Sequence, residues 1–391
     1  MPPQHHSLDQ RAWQSDRPRR IIAKLGTNLL TAGGEQLDPA TLDDLTRQIA
    51  QVRELGAQIA VVTSGAVAAG RARVGARADS ASVAARQALA AIGQAHLVER
   101  YDSLLRRYGL TAAQALITRG DVTERRGYLN VRNTLLRLLQ YNVIPIINEN
   151  DVVADEELRG GAFGENDALS ALVANLIDAD LLILLSDVDG VYDRDPRLDP
   201  DARLIRELEH PGEALELAGD VGARGRGGMR AKLDAAQLAS SGGADVVIAS
   251  GREPNAILRI AQGEPLGTRI PAQASRRASR QRWLLAGLHN GGGVTLDGGA
   301  VRALREQGRS LLPVGVTAVQ GRFERGDVIQ LFDAEGTAVA VGISNYSSDE
   351  IKRIAGRRSD EIAEALGYDY GAEVVHRNNL ALATPIQTAP A

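Results

Sequence analysis

Residues 20–27 read Arg20-Ile21-Ile22-Ala23-Lys24-Leu25-Gly26-Thr27, a short apolar run that carries one lysine near its end and is closed by glycine. A run of this length, without helical period and bounded by a turn residue, predicts a strand buried on both faces. Downstream, Pro39–Leu55 has apolar residues at helical spacing, and Gln58–Thr63 is again a short apolar run. The alternation continues: helical Ser82–Tyr108, strand-like Ala112–Ile117, helical Tyr128–Tyr141, strand-like Val143–Ile147, helical Asn166–Leu176, strand-like Leu181–Leu185, helical Met229–Ser240, strand-like Asp245–Ala249 and helical Pro254–Ala261. Short apolar strands separated by amphipathic helices define an α/β fold with a parallel central sheet covered on both faces. Ligands of such sheets collect beyond the carboxyl ends of the strands.

The chain has 391 residues, enough for two or three domains. Its character changes around Gly263–Trp283, where Pro265, Gly267 and Pro271 precede a basic run with Arg276, Arg277, Arg280 and Arg282. Beyond that point Val294–Asp297, Val316–Gly321, Asp327–Phe332 and Ala338–Ser344 are strand candidates, with helices expected at Ala300–Gln307 and near Asp349–Ile354. The expected organisation is a flexible lead over 1–19, a catalytic α/β domain over 20–263, a linker over 264–282, a small β-rich domain over 283–377 and a flexible tail over 378–391.

Composition excludes several classes of function. Hydrophobic residues make up 44% and charged residues 24%, an ordinary globular balance. The formal charge of −4 gives no global basic field for nucleic acid or anionic membranes. There are no cysteines, which excludes disulfides, thiolate nucleophiles and Fe–S ligation. The apolar run after Arg17, Arg19 and Arg20 is too short for a secretory core, and no stretch is long enough to span a bilayer, so a cytoplasmic location with no membrane partner is expected. Asn345-Tyr346-Ser347 is therefore a chance sequon.

Basic residues are almost all arginine. The lysines are Lys24, Lys232 and Lys352 alone. A lysine kept against such a bias suggests a need for a compact point charge, as on a phosphate oxygen, where the planar guanidinium fork has another geometry. None of the three follows a glycine, so a Walker A loop is absent. The glycine cluster Gly222–Gly228 lacks dinucleotide spacing, the six histidines form no zinc motif, and Asp187-Val-Asp189-Gly190 has its glycine two places too early for a calcium loop. No metal ligands are expected from the chain itself. What remains is a series of polar strand-end loops: Lys24-Leu-Gly26-Thr27, Thr63-Ser64-Gly65-Ala66, Asn148-Glu149-Asn150-Asp151, Asn166-Asp167, Ser186-Asp187, and Gly227-Gly228-Met229 ahead of Lys232. Glycine backbone at helix N-termini is suited to phosphate, and the two lysines add mobile positive charge.

Together these strings resemble the amino-acid kinase family. The resemblance rests on Lys24-Leu-Gly-Thr, Val61-Val-Thr-Ser-Gly-Ala66, Ile146-Ile-Asn-Glu-Asn-Asp151, Asn166-Asp167 followed by Leu-Ser-Ala-Leu, Leu185-Ser-Asp187 and Gly227-Gly-Met-Arg-Ala-Lys232. The C-terminal strings Gly308–Gly315 and Val319–Asp327 resemble a PUA domain. The match runs from about Arg20 to Arg377 and implies a three-layer αβα sandwich plus a small β-rich PUA domain. It also implies ATP-dependent phosphorylation of the γ-carboxylate of L-glutamate, giving L-glutamyl 5-phosphate in the first step of proline biosynthesis. Lys24, Lys232 and Asp167 are the catalytic residues this implies, with Asp167 orienting the lysines. Ser64, Gly65, Asn148, Asp151 and Asn166 are implied to bind glutamate. Lys24, Gly26, Ser186, Asp187, Gly227, Gly228, Met229 and Lys232 are implied to bind ATP, with Mg2+ carried on its phosphates. Two positions depart from the family pattern: Arg226 and Ser186 each stand where threonine is usual.

The resemblance further implies a homo-oligomer, dimer or tetramer, with proline as feedback inhibitor and a glutamyl phosphate reductase downstream. From Gln281 onward the count is 11 Lys+Arg against 13 Asp+Glu, without an aromatic-studded basic face, so a modulatory or structural role is favoured over RNA binding for the C-terminal domain. Two other readings stay open at this level: a sibling kinase acting on acetylglutamate, aspartate or a nucleoside monophosphate, and an RNA-binding protein on a kinase-like platform.

Overall fold

A computed structural model describes residues 19–75, 82–154, 165–196, 198–212, 214, 226–273 and 292–383. Described residues up to Arg119 and from Arg132 to Gln273 form one unit, and Gly120–Val131 with those beyond Ala274 form a second.

The first unit is built on seven strands: β1 (Arg20–Leu25), β2 (Gln58–Thr63), β3 (Ala112–Ile117), β4 (Ile144–Glu149), β5 (Leu181–Ser186), β6 (Asp245–Ser250) and β7 (Thr268–Ile270). They lie in the order β3-β4-β2-β1-β5-β6-β7. Every neighbouring pair is parallel except β6 and β7. The helices are α1 (Thr27–Leu30), α2 (Pro39–Glu54), α3 (Ala66–Val74), α4 (Val83–Arg106), α5 (Arg119–Thr123), α6 (Arg125–Gln140), α7 (Glu165–Leu176), α8 (Arg226–Gly242) and α9 (Ala256–Ala261).

Strand alternation explains the layering. Ile21, Ala23 and Leu25 of β1 join Leu42 and Leu45 of α2, Leu97 of α4 and Ile257 of α9 in one core. Ile22 and Lys24 point to the opposite face, which α7 covers against β1 and β5. Both faces of β1 are buried, Lys24 included, as its largely apolar run predicts. The chain proceeds outward from β1 in both directions, to β2 on one side and β5 on the other. Such a reversal of strand order opens a crevice at the carboxyl end of the sheet.

The second unit holds β8 (Gly293–Leu296), α10 (Gly298–Gln307), β9 (Val316–Gln320), β10 (Val328–Phe332), β11 (Ala338–Ile343), α11 (Ser348–Ile354), α12 (Ile362–Leu366) and β12 (Leu380–Leu382). Its sheet order is β12-β11-β10-β8-β9, antiparallel except for the β8–β10 pair. Val294, Leu304, Ile329, Leu331 and Ile351 form its core.

Several boundaries differ from expectation. Strand β4 runs on to Glu149, so Asn148 lies within the sheet rather than in a loop. The stretch expected as linker, 264–282, supplies β7, whose Thr268 and Ile270 are buried against β6. The stretch expected as tail, 378–391, begins with β12, because Leu380–Leu382 pairs with β11 and buries Ala381. Gly120–Val131, expected in the catalytic domain, groups with the second unit: Leu129 is fully buried among Val328, Val341, Ile343 and Ala381. Helix α3 was not expected; four alanines in its nine residues give it high helix propensity but no clear apolar stripe. The lead at 1–19 lies, except for Arg19, outside the described residues. Among those described, no helix is long and apolar enough to cross a membrane.

Candidate active site

At the carboxyl end of β1, Lys24 extends toward the first turn of α7. Its Nζ lies 2.5 Å from Asp167 Oδ1, and Lys232 Nζ of α8 lies 3.2 Å from Asp167 Oδ2. The exposures of the three side chains are 7% for Lys24, 12% for Lys232 and 2% for Asp167, so this ion triad is largely withdrawn from water. Its geometry follows from the sequence. Period-two alternation sends Lys24 to the face opposite Ala23 and Leu25, α7 packs on that face, and α8 packs against α7. An acidic residue in the first turn of α7 also meets the positive end of the helix dipole. The trio sums to one positive charge in a secluded place, which favours an incoming anion.

A second, uncharged array adjoins the first. Asn166, the neighbour of Asp167 on α7, donates from Nδ2 to Ser64 Oγ at 2.9 Å and to Asn148 Oδ1 at 3.2 Å. Asn148 in turn donates from Nδ2 to Gln94 Oε1 at 2.8 Å. Ser64, Gln94, Asn148 and Asn166 are all buried. Beside the array lies a cavity of about 220 Å³, lined by Ala90, Gln94, Gln114, Glu149, Asn150 and Asp151 among others.

The glycines differ in what holds them. Gly65 precedes α3 with φ of 95°, left-handed backbone that disfavours a side chain, and an added Cβ would sit 3.0 Å from Leu37 Cδ2. Gly26 has ordinary extended backbone, and a Cβ there would meet nothing closer than Lys24 Nζ at 3.6 Å. The protein itself therefore has room for a side chain at Gly26, directly over the lysine. Ser186 ends β5 and donates from Oγ to Asp187 Oδ1 at 3.1 Å. Gly227, Gly228 and Met229 lie in the first turn of α8, where backbone N–H groups are unsatisfied by the helix.

The structure thus brings Lys24, Lys232 and Asp167 together, and separately Ser64, Asn148 and Asn166. Gly26 lies beside Lys24, and Asp151 lines the cavity rather than the array. Gln94 and Gln114 have no place in the sequence-derived site. The one signal for Gln94 was the preceding glycine inside a long helix. A Cβ on Gly93 would lie 1.8 Å from Ala66 O and one on Gly70 1.9 Å from Leu89 O, so α3 and α4 touch backbone to backbone. That approach carries Gln94 to Asn148. Tyr101 was also missed: its hydroxyl lies 2.9 Å from Thr63 Oγ1, which donates to the Ser64 carbonyl at 3.1 Å, and complete burial pushes the phenol well above its usual range.

The model of the amino acid kinase family matches residues 19–250, and that of the PUA domain residues 292–366. The chain belongs to the amino acid kinase family. Within it, the similarity falls on proteins named glutamate 5-kinase. The one from Dehalococcoides mccartyi (strain ATCC BAA-2266) is 50% identical over 364 residues, covering 93% of this chain and 98% of the relative. Those from Chromohalobacter salexigens and Thioalkalivibrio sulfidiphilus are each 47% identical, over 94% and 96% of this chain and 96% and 100% of their own. A solved UMP kinase from Bacillus anthracis aligns with 66% of this chain and 98% of its own at 18% identity and a TM-score of 0.47, too distant to add to the assignment.

Proposed function

We infer that the chain transfers the γ-phosphoryl group of ATP to the γ-carboxylate of L-glutamate, forming L-glutamyl 5-phosphate and ADP in the first step of proline biosynthesis. The observation that carries this is the buried Asp167 carboxylate bracketed by Lys24 and Lys232. A carboxylate nucleophile is ionised near neutral pH, so no general base is needed. The barrier is set by bringing one anion in line with another and by spreading charge over the transferring oxygens.

Each residue takes a role from that requirement. Lys24 sits at the mouth of β1 and stabilises the phosphoryl group in flight; Lys232 neutralises the terminal phosphates of the nucleotide. Asp167 holds both ammonium groups in position and lets them turn to phosphate when ATP arrives. Gly26 and Gly65 leave backbone N–H groups open to close approach, and Gly227, Gly228 and Met229 present the N-terminus of α8 to phosphate. Ser186 and Asp187 lie toward the nucleotide. Ser64, Asn148, Asp151 and Asn166 hold glutamate, with Asp151 facing its ammonium group. Among the described residues no group of three or more acidic, His or Cys side chains could hold a metal ion. Mg2+ enters this reading with ATP, as an ion borne by its phosphates, where it would add neutralising charge. Inhibition by proline, assembly as a dimer or tetramer, and a reductase that consumes the acyl phosphate belong to the same proposal.

The test is hydroxylamine trapping of the acyl phosphate with L-glutamate, aspartate, acetylglutamate and UMP as competing acceptors. Glutamate-selective trapping that falls about 10²–10³-fold in Lys24→Ala is expected. Preference of the folded, ATP-binding protein for another acceptor overturns the glutamate assignment.

A further inference from the structure

The polar array beside the ion triad has an end that the roles above leave unused. Gln94 spends its Oε1 on Asn148, whereas its Nε2 is buried and has no hydrogen-bond partner. At the other end Asn166 has given its Nδ2 to Ser64 and Asn148, and its buried Oδ1 has no partner either. An unfilled donor buried in a protein is costly and is expected to find a partner. Gln94 is 6% exposed and lines the 220 Å³ cavity together with Asp151. Its side chain is fixed twice, by the Asn148 hydrogen bond and by the backbone contact of α3 and α4 at Gly70 and Gly93.

The order of the array gives direction. Asn166 adjoins Asp167 and so the lysines, Asn148 comes next, and Gln94 is farthest from the reacting end. A glutamate whose γ-carboxylate faces the lysines directs its α-carbon along the array, away from them. We propose that Gln94 is an acceptor-binding residue whose Nε2 donates to the α-carboxylate of the amino acid, while its Oε1 keeps the Asn148 carboxamide turned toward Asn166. This rests on the glutamate-kinase reading above. It makes the free α-carboxylate a recognised group in its own right: acceptors in which that group is an amide bind more weakly, because a neutral carbonyl accepts from Nε2 less strongly than a carboxylate does.

The experiment pairs Gln94→Glu with two acceptors, L-glutamate and its α-amide, which keeps the reacting γ-carboxylate. The Glu side chain retains an oxygen to accept from Asn148 but replaces the donor by a negative charge. The expected result is a KM for L-glutamate raised about 10- to 100-fold, the loss of a hydrogen bond to a charged group, with KM for ATP within about twofold. The kcat/KM ratio of α-amide to glutamate is expected to rise at least about tenfold in the same variant. A purely structural role would move both acceptors and ATP together. An unchanged acceptor ratio, or equal rises in both KM values, overturns the proposal. Should Gln94→Glu fail to fold, Gln94→Met removes the donor without charge, and the same ratio is read from it. Wild-type protein that transfers no phosphoryl group to glutamate refutes the underlying function and the proposal with it, whereas active wild type with an unresponsive variant refutes Gln94 alone.

Discussion

Asp167→Asn preserves shape and removes one charge, and its consequences follow from two distances. With ammonium groups 2.5 and 3.2 Å from its oxygens, Coulomb's law at an effective dielectric of about 20 gives gross attractions of roughly 7 and 5 kcal/mol for unit charges. Burying the ions cancels most of this, and losing one partner of a buried pair costs about 3–5 kcal/mol net because the cation left behind is unpaired. In this site two cations lose the group between them and repel each other. The ligand-free variant is therefore expected to melt roughly 10 °C lower by calorimetry. Phosphate supplies the missing negative charge, so ATP should raise the Tm of the variant by more than it raises that of the wild type. Turnover, measured as trapped hydroxamate, is expected to fall about 10²–10³-fold because the lysines are no longer held where charge develops. A variant with Tm within about 2 °C of wild type and turnover within about threefold would refute Asp167 as the anchor of the two lysines.

Gly65→Ala places a Cβ on left-handed backbone and 3.0 Å from Leu37, at a cost of about 1–2 kcal/mol; urea unfolding should show it, and the displaced Ser64 should raise KM for glutamate more than KM for ATP. Asp102 accepts from the Arg106 guanidinium and from the Ala112 N–H at 3.1 Å, and these bonds, the Arg106 one foremost, hold its carboxyl below the usual range. Its contribution to stability is thus present above the unfolded pKa of about 3.9 and lost as the pH falls through the lower folded value. Asp102→Asn is expected to lower Tm at neutral pH and to flatten the decline of Tm below about pH 4; parallel curves for the two proteins would contradict this role.

The fold was legible where one residue pattern meets one physical demand. An apolar run with a terminal lysine and glycine can only be a buried strand ending at a site, and β1 is that strand. The boundaries misjudged were those whose partners lie far along the chain. Leu380–Leu382 is too short to show a period, and becomes β12 only because β11 offers it an edge. Thr268–Ile270 likewise depends on β6, and Leu129 reads as one position of a helix until the C-terminal strands bury it.

The site divides along the same line. Charged and glycine-bearing loops betray themselves because their residue types are costly anywhere else: a lysine inside a buried strand has few explanations besides an anion or a carboxylate. A glutamine in the middle of α4 carries no such signature. Gln94 becomes meaningful only when Gly70 and Gly93 let two backbones meet and one of its two polar atoms is left without a partner. Neutral groups are where sequence is least informative about binding, since a buried amide costs enough to require partners but not enough to be rare. On the proposed function they also separate the two tasks of the site: the charged triad would answer to phosphate and the uncharged array to the acceptor. Substitutions in the triad should therefore lower turnover with any acceptor, and substitutions in the array should change which acceptor is used.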